Sequence, residues 1–154
     1  MTRPSHPPTP MFIPGYVRFD AGEPVIDDHI PRDVIETDGR PYMKRYYLHH
    51  SPAMSIRLHH LLTSDPGRDL HDHPWDFCSL LLTGGYRETT PDGETDYRSP
   101  CVVSRRAEQF HRLDLLDGPM WTYVVTGPVR RRWGFMTEGG WVHWREYDGA
   151  GSYA

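Results

Sequence analysis

The stretch Gly67-Arg68-Asp69-Leu70-His71-Asp72-His73-Pro74-Trp75 places two histidines two positions apart on a segment that reads as extended. Strand side chains alternate between faces, so His71 and His73 share one side and Asp72 takes the other. One metal ion can accept both imidazoles. A third ligand must then come from another strand. His111, in Glu108-Gln109-Phe110-His111-Arg112, sits in such a run well downstream. Three neutral imidazoles with coordination positions left open describe a catalytic metal site rather than a closed structural one.

The sequence on either side of this pair reads as a chain of short strands. Stretches rich in Val, Ile, Tyr, Leu and Trp alternate with turn clusters at Asp38-Gly39, Ser64-Asp65-Pro66-Gly67, Thr83-Gly84-Gly85, Pro91-Asp92-Gly93, Asp117-Gly118-Pro119, Thr126-Gly127-Pro128 and Gly139-Gly140. Such spacing predicts a sandwich or barrel. The predicted strands are Tyr42 to His49, Met54 to Thr63, Asp76 to Thr83, Tyr86 to Thr90, Thr95 to Ser99, Cys101 to Ser104, Phe110 to Leu115, Trp121 to Thr126, Arg131 to Met136 and Gly140 to Tyr147. A short helix is expected over Asp27 to Glu36, with Asp28 as its N-cap and Pro31 early. The expected fold class is all-β, a jelly roll. Residues 1–15 read as a flexible Pro-rich lead-in and residues 16–154 as one domain.

Composition agrees and narrows the function. The chain has 154 residues, with 17 Lys+Arg against 21 Asp+Glu, a formal net charge of -4, and 14 Gly and 15 Pro. That Gly and Pro content exceeds what a helical bundle tolerates. The net charge supplies no field to attract nucleic acid or an anionic membrane. The one basic run, Arg130-Arg131-Arg132, reads as a solvated strand edge. No apolar run approaches the length of a membrane span, and no apolar segment in the first residues resembles a secretory signal. The 2 cysteines, Cys78 and Cys101, are expected reduced, Cys78 as a packed core thiol. A cytoplasmic protein with a small-molecule substrate, no nucleic-acid partner and no membrane partner is the expectation.

At this point the stretch from Met54 to Tyr147 resembles the cupin superfamily (RmlC-like jelly rolls). The resemblance maps a Gly, H-x-H and later Gly onto Gly67, His71, His73 and Gly84, and a second motif's single His onto His111. It extends to small bacterial and phage-encoded cupin-like proteins through His71-Asp72-His73-Pro74-Trp75, Gly84-Gly85-Tyr86, Thr126-Gly127-Pro128, Trp133-Gly134-Phe135 and Trp141-Val142-His143-Trp144-Arg145-Glu146-Tyr147. It implies a double-stranded β-helix barrel, a metal on His71, His73 and His111, and a homodimer. The carboxylate ligand that the superfamily places after the H-x-H would fall at Phe77 or Cys78, and neither is acidic. The chain is in this respect similar to the three-His thiol dioxygenases, which implies Fe(II), with Zn, Mn or Ni as the other divalent metals. Of the nearby carboxylates Asp76 is the candidate fourth ligand, since Asp72 points to the opposite face, and Cys78 is the other candidate.

In Ser55-Ile56-Arg57-Leu58-His59-His60-Leu61-Leu62, alternation puts Arg57 and His59 on one face with Leu61. The other face carries Ile56, Leu58, His60 and Leu62 and must be core. Alternation alone leaves open whether Arg57 and His59 turn into the barrel, where they would grip a substrate carboxylate or phosphate, or out to solvent. Tyr46, His59 and Tyr123 are the candidate catalytic proton donors. The expected function is a metal-dependent oxygenase acting on a small polar metabolite. Alternatives are a Lewis-acid isomerase or lyase on the same ligands, a binding module without turnover, and a metal-free isomerase of the sugar-nucleotide type.

Overall fold

The computed structural model describes residues 17–20 and 23–147; the Pro-rich lead-in expected over 1–15 lies outside them. Among the described residues every regular element is a strand. β1 (Val17–Asp20) pairs antiparallel with β2 (Glu23–Ile26). A six-stranded antiparallel sheet follows the order β10 (Cys101–Arg105), β7 (Phe77–Leu81), β12 (Met120–Thr126), β5 (Ser55–Leu61), β4 (Arg40–His50) and β3 (Arg32–Thr37). Facing it are two three-stranded sheets, β11 (Arg112–Leu115), β8 (Gly85–Thr90), β9 (Gly93–Arg98) and β14 (Gly140–His143), β13 (Gly134–Thr137), β6 (Leu70–His71).

The two smaller sheets are joined by a bridge between His71 and His111, whose backbones exchange hydrogen bonds of 2.9 Å in both directions. The second wall of the barrel is therefore continuous through two of the three candidate ligands. The expected all-β jelly roll is the observed architecture.

Each of the strands expected from the sequence is present, with ends displaced by a few residues. The expected helix over Asp27 to Glu36 is not. β3 occupies its second half, because Val34 and Ile35 are β-branched and pair with Lys44 and Met43 of β4. Asp27, at the start of that stretch, closes a turn instead: Ile30 N donates to Asp27 O at 3.0 Å and His29 N to Asp27 Oδ1 at 2.8 Å. Asp38 and Gly39 supply the positive φ angles, 52° and 72°, that a tight β3–β4 turn requires.

The core is split in two by the six-stranded sheet. Inside the barrel, Met43, Leu61, Leu81, Tyr86, Val103 and Met120 pack together. On the sheet's outer face Ile30, Tyr46, Leu58 and Trp121 form a second cluster, with His60 stacked on Trp121 at 4.1 Å and Trp121 Nε1 donating to Glu23 at 2.6 Å. β5 is thus covered on both sides. Its apolar Leu58 face meets the outer cluster, which turns Arg57, His59 and Leu61 into the barrel and settles the orientation that alternation left open.

Cys78 is exposed, a correction to its expected place in the core. On β7 the inward positions are Phe77, Ser79 and Leu81, so Cys78 points away from the cavity. It lies opposite Ser104, while Cys101 lies opposite Leu81, and both thiols are free. Two members of the basic run serve the fold: Arg130 pairs with Asp76 and Glu108, and Arg131 with the buried Asp72. The terminal strand ends at His143, and Trp144 enters a turn where it stacks on Trp133 at 5.6 Å. No helix among the described residues is long and apolar enough to cross a membrane.

Gly134 carries the closest backbone approach. A Cβ there would lie 2.0 Å from the carbonyl oxygen of Val142, so Gly134→Ala must open the β13–β14 pairing. We expect it to lower unfolding free energy by at least ~2 kcal/mol, as overpacking at a rigid site does. A urea midpoint equal to that of the native protein would contradict this close approach.

Candidate metal centre

His71 closes β6, and His73 follows where the chain runs on extended, its N–H donating to Ala107 O at 3.0 Å. Asp72 between them is fully buried on the opposite side. Its carboxylate accepts the Gly134 N–H at 2.7 Å and the Trp141 indole N–H at 3.2 Å, and pairs with Arg131. The intervening acid thus pins the H-x-H segment to β13 and β14, as the two-residue alternation predicts. His111 reaches the same place through its bridge to His71.

The candidate ligand atoms of His71, His73 and His111 all lie within 4.8 Å of one another. The Nε2 atoms of His73 and His111 are 2.9 Å apart, and the three ring centroids are separated by 4.8 to 5.0 Å. Glu88, 1% exposed, accepts the Nδ1 proton of His111 at 2.7 Å, which leaves the Nε2 lone pair of that ring turned toward His73. A carboxylate behind an imidazole fixes its tautomer and raises its basicity. Glu88 is itself held by Arg105, whose Nε donates at 2.9 Å. Burial alone would raise the Glu88 pKa. The hydrogen bonds from His111 and Arg105 outweigh it and hold the carboxyl at about 2.

The imidazoles of His71 and His73 are uncharged at neutral pH. Burial lowers His71 to about 4 against the attraction of Asp65, with His111 adding to the effect. His73 is held well below its usual value, first by burial and then by the neighbouring imidazoles. Three convergent nitrogen donors with one tautomer fixed fit a divalent metal.

Around them Phe77 stands where the superfamily's carboxylate was missing, its ring 4.9 Å from that of His73. Asp76, the expected fourth ligand, is turned away: it accepts from Ala107 N at 2.8 Å and from Arg130 at 2.6 Å. Neither Asp76 nor Cys78 lines the cavity, so the cluster has three donors.

The cavity has a volume of about 470 Å³ and is lined from the facing sheet by Arg57 and His59, as the inward alternative required, and also by Arg45. Tyr46 and Tyr123 do not line it. Both belong to the outer cluster with Leu58 and Trp121, because they share the register parity of Leu58, with which each is paired. Their expected role as proton donors at the site is corrected by that placement. Sequence reasoning missed Glu88 and Arg45. The signal was available: Glu88 has the same parity as the apolar Tyr86, and Arg45 the same as Met43.

An unfolded imidazole titrates near 6.5 whereas buried His71 takes its proton near 4, so between these values the unfolded chain binds more protons. Stability of the metal-free protein is therefore fully present above pH 6.5 and is lost as pH falls toward 4, by ~3 kcal/mol for His71 alone. Thermal melts at pH 7.5 and pH 5 should show the lower Tm at pH 5; equal values would contradict a neutral buried His71.

The barrel and its converging histidines define the class: this is a cupin fold, a double-stranded β-helix. Solved structures share it. A cupin-2 domain from Rhodospirillum rubrum superposes with a TM-score of 0.59 at 13% identity, over 75% of this chain and 81% of that one. The polyketide cyclase RemF from Streptomyces resistomycificus gives 0.57 at 12% identity, over 73% and 84%. The Fe(II) form of HppE gives 0.56 at 16% identity over 71% of this chain. The match spans 63% of the HppE chain, less than two thirds of its length. No protein-family model and no curated protein matches the sequence.

Proposed function

We propose that this protein is a metal-dependent cupin enzyme that uses Fe(II) on His71, His73 and His111 to oxidise a small polar metabolite. The observation that carries this reading is the convergence of three imidazoles, without a carboxylate ligand, on the wall of one cavity. When bound, the metal supplies Lewis acidity with coordination positions left open and, as iron, access to dioxygen chemistry.

The chain's own residues prepare that site. Glu88 holds the His111 proton on Nδ1 so that Nε2 remains a donor. Phe77 and Trp75 pack against His73, at 4.9 and 5.0 Å between ring centroids, and exclude water from its faces. His59, uncharged because burial lowers its pKa well below the usual value, with Arg45 and Arg57 reinforcing the effect, presents a neutral hydrogen-bonding ring to the cavity. A soluble homodimer acting in the cytoplasm on a small molecule is part of the same reading.

The test is oxygen uptake by anaerobically iron-loaded protein exposed to a broad metabolite mixture, with substrate loss followed by mass spectrometry. Stoichiometric oxygen consumption coupled to loss of one metabolite is expected. Turnover that proceeds equally without oxygen replaces the oxygenase by a Lewis-acid isomerase or lyase, and a ligand released unaltered makes the protein a binding module.

A further inference from the structure

We propose that Arg45, Arg57 and His59 form an anion-recognition subsite that takes the carboxylate- or phosphate-type end of the substrate while its other end faces the three histidines. This deepens the metal-centred reading above and rests on it for the word substrate.

The three side chains share the inner face of adjacent strands: Arg45 is paired directly with His59, and Arg57 precedes His59 by two residues on β5. Arg57 is 7% exposed. Its guanidinium lies over the rings of Tyr47, at 5.3 Å, and Trp75, at 5.4 Å, and its Nε donates to Ser55 Oγ at 2.8 Å. Stacking and that bond fix the plane of the fork. Its terminal nitrogens have no protein partner among the described residues. Arg45 Nε and His59 Nε2 are likewise buried without a hydrogen-bond partner, and neither arginine has an ion pair among the described residues.

The nearby carboxylates are committed elsewhere. Asp33, opposite Arg45 in the register, accepts the Tyr47 hydroxyl at 2.6 Å. Asp65 accepts Leu113 N at 2.7 Å and the Tyr42 hydroxyl. Glu88 is held by Arg105 and His111, and Glu36 is exposed. The guanidinium of buried Arg57, the buried Nε of half-buried Arg45 and a buried imidazole edge, left without acceptors in one cavity, call for an acceptor from outside, and an anion is the acceptor whose charge matches. Burial, with the repulsion of Arg45 next, lowers the Arg57 pKa only to about 10, so it stays charged at neutral pH. The cavity of about 470 Å³ is of a size for a small metabolite.

The experiment is isothermal titration of the full-length protein, metal-loaded and chelator-treated, with inorganic phosphate and separately with malonate, glycerol serving as the neutral control. Metal content is measured on the same samples. Saturable binding of at least one anion is expected, with affinity reduced at least ten-fold in Arg45→Gln and in Arg57→Gln while metal content is unchanged. Preference for phosphate or malonate tells which anion class the subsite takes. Should Arg57→Gln not fold, Arg45→Gln and His59→Gln decide the matter by the same criterion. Absence of saturable binding to either anion, or binding unaltered in the folded variants, overturns the proposal. Arginine-dependent anion binding in a protein that holds no metal would leave the subsite standing and overturn the metal-centred function instead.

Discussion

His73→Ala will leave the protein folded but unable to hold a divalent metal, with affinity reduced on the order of 10³-fold or more. The ring of His73 is one corner of the triangle with His71 and His111, its Nε2 2.9 Å from that of His111, and no carboxylate in the cavity is placed to substitute. Asp76 is bound to Arg130 and the Ala107 N–H, and Glu88 and Asp65 are engaged with other donors. The backbone of residue 73 keeps its bond to Ala107 in the variant, so the strand geometry does not depend on the ring. Metal analysis of untagged protein, together with a thermal melt, reads both halves of this prediction. Asp76→Ala is the informative control: it removes the nearest conspicuous acid of the motif and is expected to leave metal content intact. Full metal occupancy in His73→Ala would show that the ligands are other than these three.

Glu88→Leu is expected to have the largest effect on stability and a second effect on the metal. Its carboxylate is 1% exposed and joins Arg105 to His111. Removing it leaves the Arg105 guanidinium, whose side chain is 19% exposed, with only Ser104 O and Tyr97 Oη as partners. Breaking a buried ion pair from one side destabilises by about 3 kcal/mol or more. The variant also frees the His111 tautomer, so metal affinity should fall about 10- to 100-fold. Glu88→Gln separates the two: an amide oxygen still accepts from His111 or Arg105, and metal affinity should recover more than stability does. A Glu88→Leu protein with native stability and native affinity would remove the carboxylate from any role at the centre.

The barrel and the ligand triangle were legible because they rest on local rules. Period-two alternation puts His71 and His73 together whatever the rest of the chain does, and Gly- and Asp-rich turns mark the strand ends. Position 111 needed the resemblance as well, since nothing local says which strand will lie against β6. What stayed hidden depends on which face of a strand turns inward. Tyr46 and Arg45 are neighbours on β4 and go to opposite sides of the sheet; without knowing that the outer face is covered by Ile30 and Trp121, either is an acceptable inward residue. The same ambiguity concealed Glu88, an acid that reads as surface until its strand is seen to form the wall behind His111. β3 was missed for a different reason: Asp27, Asp28 and Pro31 have helix-start chemistry, and only pairing with β4 makes Val34 and Ile35 a strand.

Whether the three histidines form one metal centre is decided by anaerobic titration of chelator-treated, untagged protein with Fe(II), followed by metal analysis after desalting. One iron retained per chain, lost in His71→Ala, His73→Ala and His111→Ala alike, is the result expected. Substoichiometric retention, or retention unchanged in any of the three variants, would contradict it.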